Sequence, residues 1–186
     1  RTLLLSSAAA VALACNPQPA HAAPLSPRAH DPALAGLIAF YLQRFHYSAD
    51  VIDDRASSIW LDHYIEALDP NRMFFTAQDI AGFEGYRHTL DDAVNKMPTD
   101  VSSAFHIDRV YRERVETRLE WAMTVLAEPV ALTGSGEVVL DREKAPWAAS
   151  GAELDTLWNL RIEEQMVRAA LRREALEKSK AEKAAK

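Results

Sequence analysis

The sequence predicts an all-α fold: about five helices in an irregular bundle, with a structured loop or short hairpin near residues 129–150. Three observations carry that expectation. Glycine is scarce, at 6 in 186 residues; no stretch holds strand-like alternation for more than a few residues; and apolar residues recur at helical spacing in several long segments. With 48% hydrophobic and 26% charged residues, the chain has the composition of a soluble globular domain with a sizeable core. A net charge of −6 without a basic face argues against a nucleic-acid partner.

The first helix is expected over residues 31–46. Asp31 is a capping acid and Pro32 fits the first helical position, after which Leu34, Leu37, Ile38, Tyr41 and Phe45 recur on one face. The second, over residues 50–68, sets Ile59, Trp60, His63, Tyr64 and Leu68 along one side. Pro70 disfavours helical geometry at Asp69, and Asp-Pro-Asn is turn chemistry, so the chain reverses there.

Thr76 then reads as the N-cap of a third helix over residues 77–95, with Asp79 in the place of the usual Glu or Gln of a capping box. Phe74 and Phe75 precede that cap. Their position suits a staple or wedge in the angle between two helices, with Ile80 and Phe83 as contacts. Ile80, Phe83, Leu90 and Val94 form the expected inner face of this helix.

A fourth helix, ending near Glu128, carries Phe105, Tyr111, Val115, Leu119, Ala122 and Leu126. Residues 130–133 and 137–140, separated by Gly134-Ser135-Gly136, suit a short hairpin. Ser150 and Glu153 form a capping box for a fifth helix bearing Leu154, Leu157, Trp158, Ile162 and Met166. Beyond Leu176 no apolar stripe remains, so its last turns need a partner or fray.

The first 22 residues have a different character. Residues 3–14 are apolar but too few to span a bilayer comfortably, and Ala20-His21-Ala22 is a cleavage signature, so residues 1–22 read as a secretory signal peptide and 23–30 as a flexible leader. Position 1 is Arg, which implies a truncated basic n-region. The expected compartment is the periplasm. An alternative stays open: Ala12-Leu13-Ala14-Cys15 loosely resembles a lipobox, which would anchor the protein as a lipoprotein through Cys15. Cleavage after Ala22 would instead remove the sole cysteine, and with it disulfide and thiolate chemistry.

Catalytic equipment is not visible in the remainder. The six histidines form no metal-binding pair at helical spacing, and neither a nucleophile elbow nor a phosphate loop occurs. Asp53-Asp54 and Asp91-Asp92 suit helix termini better than a catalytic dyad. Ser57-Ser58 and Lys178-Ser179-Lys180 offer the residue types of a Ser/Lys pair, yet neither has an oxyanion site around it. No catalytic residue, metal ligand or cofactor site is assigned. The residues singled out are structural: Pro70, Phe74, Phe75, Thr76, Asp79, Trp147 and Trp158.

Two segments, "SADVIDDRASSIWLDHYIEALDPNRMFFTAQDI" and "ALTGSGEVVLDREKAPWAASGAELDTLWNLRIEEQM", resemble the N-terminal helical domain of tail-specific proteases, the carboxy-terminal processing serine peptidases. The matching features are His46-Tyr47, Leu68-Asp69, Asp79, Lys144-Ala145-Pro146-Trp147 and Leu157-Trp158, and the likeness runs over about residues 35–175. It implies that residues 31–186 are a helical domain preceding PDZ and protease domains in a longer chain. It also implies protein substrates with apolar C-termini, room for an adaptor protein, and a Ser/Lys dyad that is not in these residues. The alternative is a self-sufficient exported helical module that binds without cutting.

Overall fold

The computed structural model describes residues 25–45, 52–128 and 136–184, and six α-helices lie within them. They are α1 (Asp31–Phe45), α2 (Asp54–Leu68), α3 (Ala77–Phe83), α4 (Leu90–Asn95), α5 (Ser102–Ala127) and α6 (Gly151–Ala184), with a 3-10 turn at Glu84–Tyr86 after α3. The expected signal peptide, Cys15, His46-Tyr47 and the first arm of the expected hairpin fall outside the described residues. None of the described helices is long and apolar enough to cross a membrane.

Helix α2 begins at Asp54, not residue 50, because the Asp53 carboxylate caps it by accepting the N–H groups of Arg55 and Ala56 at 3.0 and 3.1 Å. Its buried stripe is Ser57, Leu61 and Ile65, spaced four apart. Ile59 and His63, expected on the inner side, are exposed. A hydrophobicity pattern passes over Ser57, and that omission rotates the inferred face.

Ser57 also explains why the single helix expected over residues 77–95 is broken. Its buried hydroxyl accepts the N–H of Leu90 at 2.9 Å and lies 3.4 Å from the Tyr86 carbonyl, to which it donates. This gives the chain a fresh helix start at α4. Gly82 and Gly85, each costing a helix interior roughly 1 kcal/mol relative to Ala, weaken the run just before it.

The core joins Leu61 and Ile65 of α2, Phe75, Phe83 of α3 and Ile107 of α5, with Tyr64, Ile80, Leu90 and Tyr111 packed around them. Each fully buried side chain of this kind contributes roughly 1.5–3 kcal/mol. Along α5 the buried positions are Ile107, Arg118 and Ala122, whereas Leu119 and Leu126, expected inward, are exposed. Arg118 sets that rotation. Its guanidinium pairs with Asp155 of α6 and lies 4.9 Å above the Trp121 ring.

Helix α1 does not turn its large apolar residues to the core. It rests on α4 and Thr99 through its small residues: Ala39 is buried, and any Cβ added at Gly36 would come within 2.5 Å of the Thr99 hydroxyl oxygen. Leu34, Leu37, Ile38, Tyr41 and Phe45 consequently face away from the core.

At the start of α6, Ser150 Oγ accepts the Glu153 N–H at 3.3 Å, while the Glu153 carboxylate reaches to Ala149 N–H at 2.8 Å, one residue beyond the usual reciprocal bond. Leu154 and Ile162 are buried; residues 167–184 are exposed throughout. That outer half is held by spaced ion pairs such as Glu174 with Lys178 at 2.8 Å. Within residues 136–150 no strand forms. A single parallel bridge joins Thr76 to Ala148, whose carbonyl accepts the Ala77 N–H at 2.8 Å.

Candidate functional site: the aromatic corner after helix α2

The ten residues that follow Leu68 tie the fold together, and the tie begins with a carboxylate. Asp69 leaves helical geometry at φ −133°, ψ 68°, just ahead of Pro70, while its N–H still donates to Ile65. Its side chain is buried. Oδ1 accepts the N–H of Met73 at 2.8 Å, and Oδ2 accepts those of Phe74 and Phe75 at 2.8 and 3.0 Å. Three backbone donors thus satisfy one buried anion, which is what makes its burial tolerable.

Arg72 has a left-handed φ of 53° within this turn, which costs a residue bearing a Cβ roughly 1–2 kcal/mol. Two contacts of its side chain offset the cost. The guanidinium donates to the Ala145 carbonyl and sits 4.8 Å over the ring of Trp147. Arg72 therefore couples the corner to the loop before α6.

The adjacent phenylalanines take separate directions. Phe75 is fully buried and packs its ring edge-to-face against Phe83 at 5.4 Å, with Tyr111 at 5.6 Å and Trp147 at 6.2 Å. Phe74, half-buried, stands edge-to-face between Tyr111 at 5.7 Å and Trp158 at 5.6 Å. Trp158 also donates its indole N–H to the Met73 carbonyl at 2.7 Å. Pro70 is exposed on the outer side of the turn.

Thr76 closes the corner. Its hydroxyl accepts the Asp79 N–H at 3.3 Å and donates to Asp79 Oδ2, which also receives the Thr76 N–H at 2.9 Å. Arg114 of α5 adds a bidentate pair, Nη2 to Oδ1 at 2.7 Å and Nε to Oδ2 at 3.0 Å. Burial pushes the Asp79 carboxyl up, but the bonds from Arg114 and Thr76 outweigh it and hold the group below its ordinary 3.8. Tyr111 moves the other way, raised by burial and then by the charges of Asp69 and Asp108.

This arrangement is a mechanical joint. Five of the seven residues singled out from sequence, Phe74, Phe75, Thr76, Trp147 and Trp158, meet in it directly, Asp79 locks its exit, and Pro70 shapes its outside. Asp69, Arg72 and Arg114 complete it. Of these, Asp69 carried a signal in the sequence, since an Asp before Pro with free N–H groups just downstream is disposed to accept them; nothing local marks Arg114 as a partner 35 residues from Asp79.

The serines considered as nucleophiles lie elsewhere. Ser57 is consumed as a helix cap, Ser58 accepts a bond from Arg87 at 2.9 Å, and Ser179 rides on the exposed half of α6. Among the described residues no group of His, Cys, Asp or Glu side chains is placed to hold a metal ion.

The family described as "Tail specific protease N-terminal domain" matches residues 38–186. A curated relative, the "Tail-specific protease" of Haemophilus influenzae, is 31% identical over 132 residues, which cover 70% of this chain and 19% of the relative. The chain thus spans about a fifth of the length of the relative it matches.

Proposed function

From the premise that this chain belongs to the tail-specific protease N-terminal domain family, we propose that it is the scaffold part of an exported serine endopeptidase. In this reading the helices brace PDZ and protease domains that follow in a longer polypeptide. That parent degrades or trims proteins with apolar C-termini using a Ser/Lys dyad outside these residues. The apolar leader and Ala20-His21-Ala22 support export to the periplasm, with anchoring at Cys15 as the other outcome.

The observation that carries the reading is the family match across 38–186, which takes in the whole aromatic corner and α6. The geometry is compatible with it: the polar groups at the corner are engaged with backbone and with each other, which fixes the turn between α2 and α3 and ties it to α5. The test compares residues 23–186 with the longer parent on an unstructured protein ending in apolar residues. The parent cleaves and the fragment does not. Cleavage by the fragment, lost on Ser57→Ala or Ser58→Ala, would overturn the scaffold reading.

A further inference from the structure

Beside the aromatic corner, the segment before α6 and α6 itself leave a cleft walled by Met73, Val138, Val139, Leu157 and Leu160. Its walls are held in place. Asp69 accepts the N–H of Met73, Trp158 donates to the Met73 carbonyl, and the segment lies so close on α6 that a Cβ added at Gly136 would strike Leu160. Two guanidinium groups, Arg142 and Arg161, complete the lining, with Glu137 beside them. Their charges do not balance. Arg142 makes no ion pair among the described residues, and its Nε is shut off from water without an acceptor, a state that buried donors rarely keep. Arg161 has to share Glu164 with Arg168. Glu137 is exposed and pairs with neither guanidinium.

An unpaired guanidinium selects an anion, and its planar fork suits a carboxylate. The walls and the size of the cleft decide what carries that carboxylate. The enclosed space is about 60 Å³, room for on the order of five water-sized groups, hence for a carboxylate and two or three carbons. A long acyl chain does not fit, and a phosphate would press polar oxygens against five apolar side chains. An Asp or Glu side chain would bring its polar main chain against the same walls. At the end of a polypeptide, by contrast, the α-carboxylate and an apolar side chain leave one Cα, so the two fill the space together. The preceding residues then leave by the open side, where Val139 and Leu140 are 57% and 53% exposed.

We propose that this cleft binds the C-terminal carboxylate of a polypeptide that ends in a small or medium-sized apolar residue. Arg142 holds the carboxylate, Arg161 adds positive charge beside it, and Val138, Leu157 and Leu160 receive the side chain. The site is built from the helical domain's own residues and does not depend on the scaffold reading.

The test offers the full-length parent a hexapeptide of uncharged residues whose last residue is a diazirine analogue of leucine, once as the free acid and once as the C-terminal amide. Illumination of the free acid is expected to leave adducts on Met73 or on residues 137–161, located by mass spectrometry, at a yield about tenfold above the amide. Arg142→Gln is expected to lower the free acid to the level of the amide, and Arg142→Lys, which keeps the charge and loses the fork, falls between. No adduct on those residues, or equal yields from acid and amide, would overturn the proposal, and that comparison needs no variant to fold. Loss of the adduct to an equimolar amount of free isocaproate would overturn it as well, by making a small acid the ligand. Cleavage of an unstructured protein, measured on the same preparation, separates the two readings. A parent that cleaves and gives no adduct rejects the carboxylate site alone, and one that gives the adduct without cleaving rejects the protease reading alone.

Discussion

The indole N–H of Trp158 donates to the main-chain carbonyl of Met73 across 85 residues of sequence, at 2.7 Å. One side chain of α6 thereby holds the backbone of the turn whose amides are held by Asp69. Replacing Trp158 by Phe removes the donor and keeps most of the ring packing on Phe74, and is expected to cost about 1–3 kcal/mol by leaving a part-buried carbonyl unpaired. Chemical denaturation of the variant checks it; a midpoint equal to the parent's would show that water replaces the indole.

Asp69 is the more sensitive end of the same turn. Asp69→Ala orphans the N–H groups of Met73, Phe74 and Phe75 together, with an expected loss of about 3–5 kcal/mol, while Asp69→Asn retains one acceptor oxygen and falls between Ala and the parent. The ordering is read from urea melts. Equal stability of the Asn variant and the parent would mean that the negative charge contributes nothing.

The two phenylalanines should separate by burial. Phe75→Ala empties a fully enclosed site and is expected to cost roughly 3–5 kcal/mol, whereas Phe74→Ala, at a half-buried position, costs about half as much. Unchanged thermal melting in both single variants would remove the corner from the list of stabilising features.

Acid should weaken the joint between Thr76, Asp79 and Arg114. The Asp79 carboxyl titrates lower in the folded state than its ordinary 3.8, so its contribution is complete above that pH and declines as the pH falls through the folded value, the unfolded chain taking the proton first. Stability measured from pH 6 down to about 2 should therefore fall less steeply in Asp79→Asn than in the parent. Parallel curves would place the acid sensitivity in other carboxylates.

Ser57→Ala separates a cap from a nucleophile. Loss of the bond to Leu90 N–H is expected to cost about 1–2 kcal/mol of stability. Proteolysis by the full-length parent, assayed well below its melting temperature, should be unchanged.

Much of the architecture was legible in the sequence because its signals are local. The turn at Asp69-Pro70, the cap at Thr76 and the helix start at Ser150 each depend on residues within four positions of one another, and short-range sterics and hydrogen bonds decide them. Helical periodicity likewise determined an all-α fold and the presence of α1, α2, α5 and α6.

Only the tertiary structure decided which face of each helix turns inward and which polar groups meet. Ser57 caps the start of α4 from 33 residues away, Arg118 is turned inward on α5 and pairs with Asp155, and Gly36 sets α1 against Thr99 so that its leucines face outward. Periodicity reports that a stripe exists. Whether it is buried depends on the shape of the neighbour, and for α1 a close backbone approach through Gly36 and Ala39 prevailed over the larger apolar area on the opposite side.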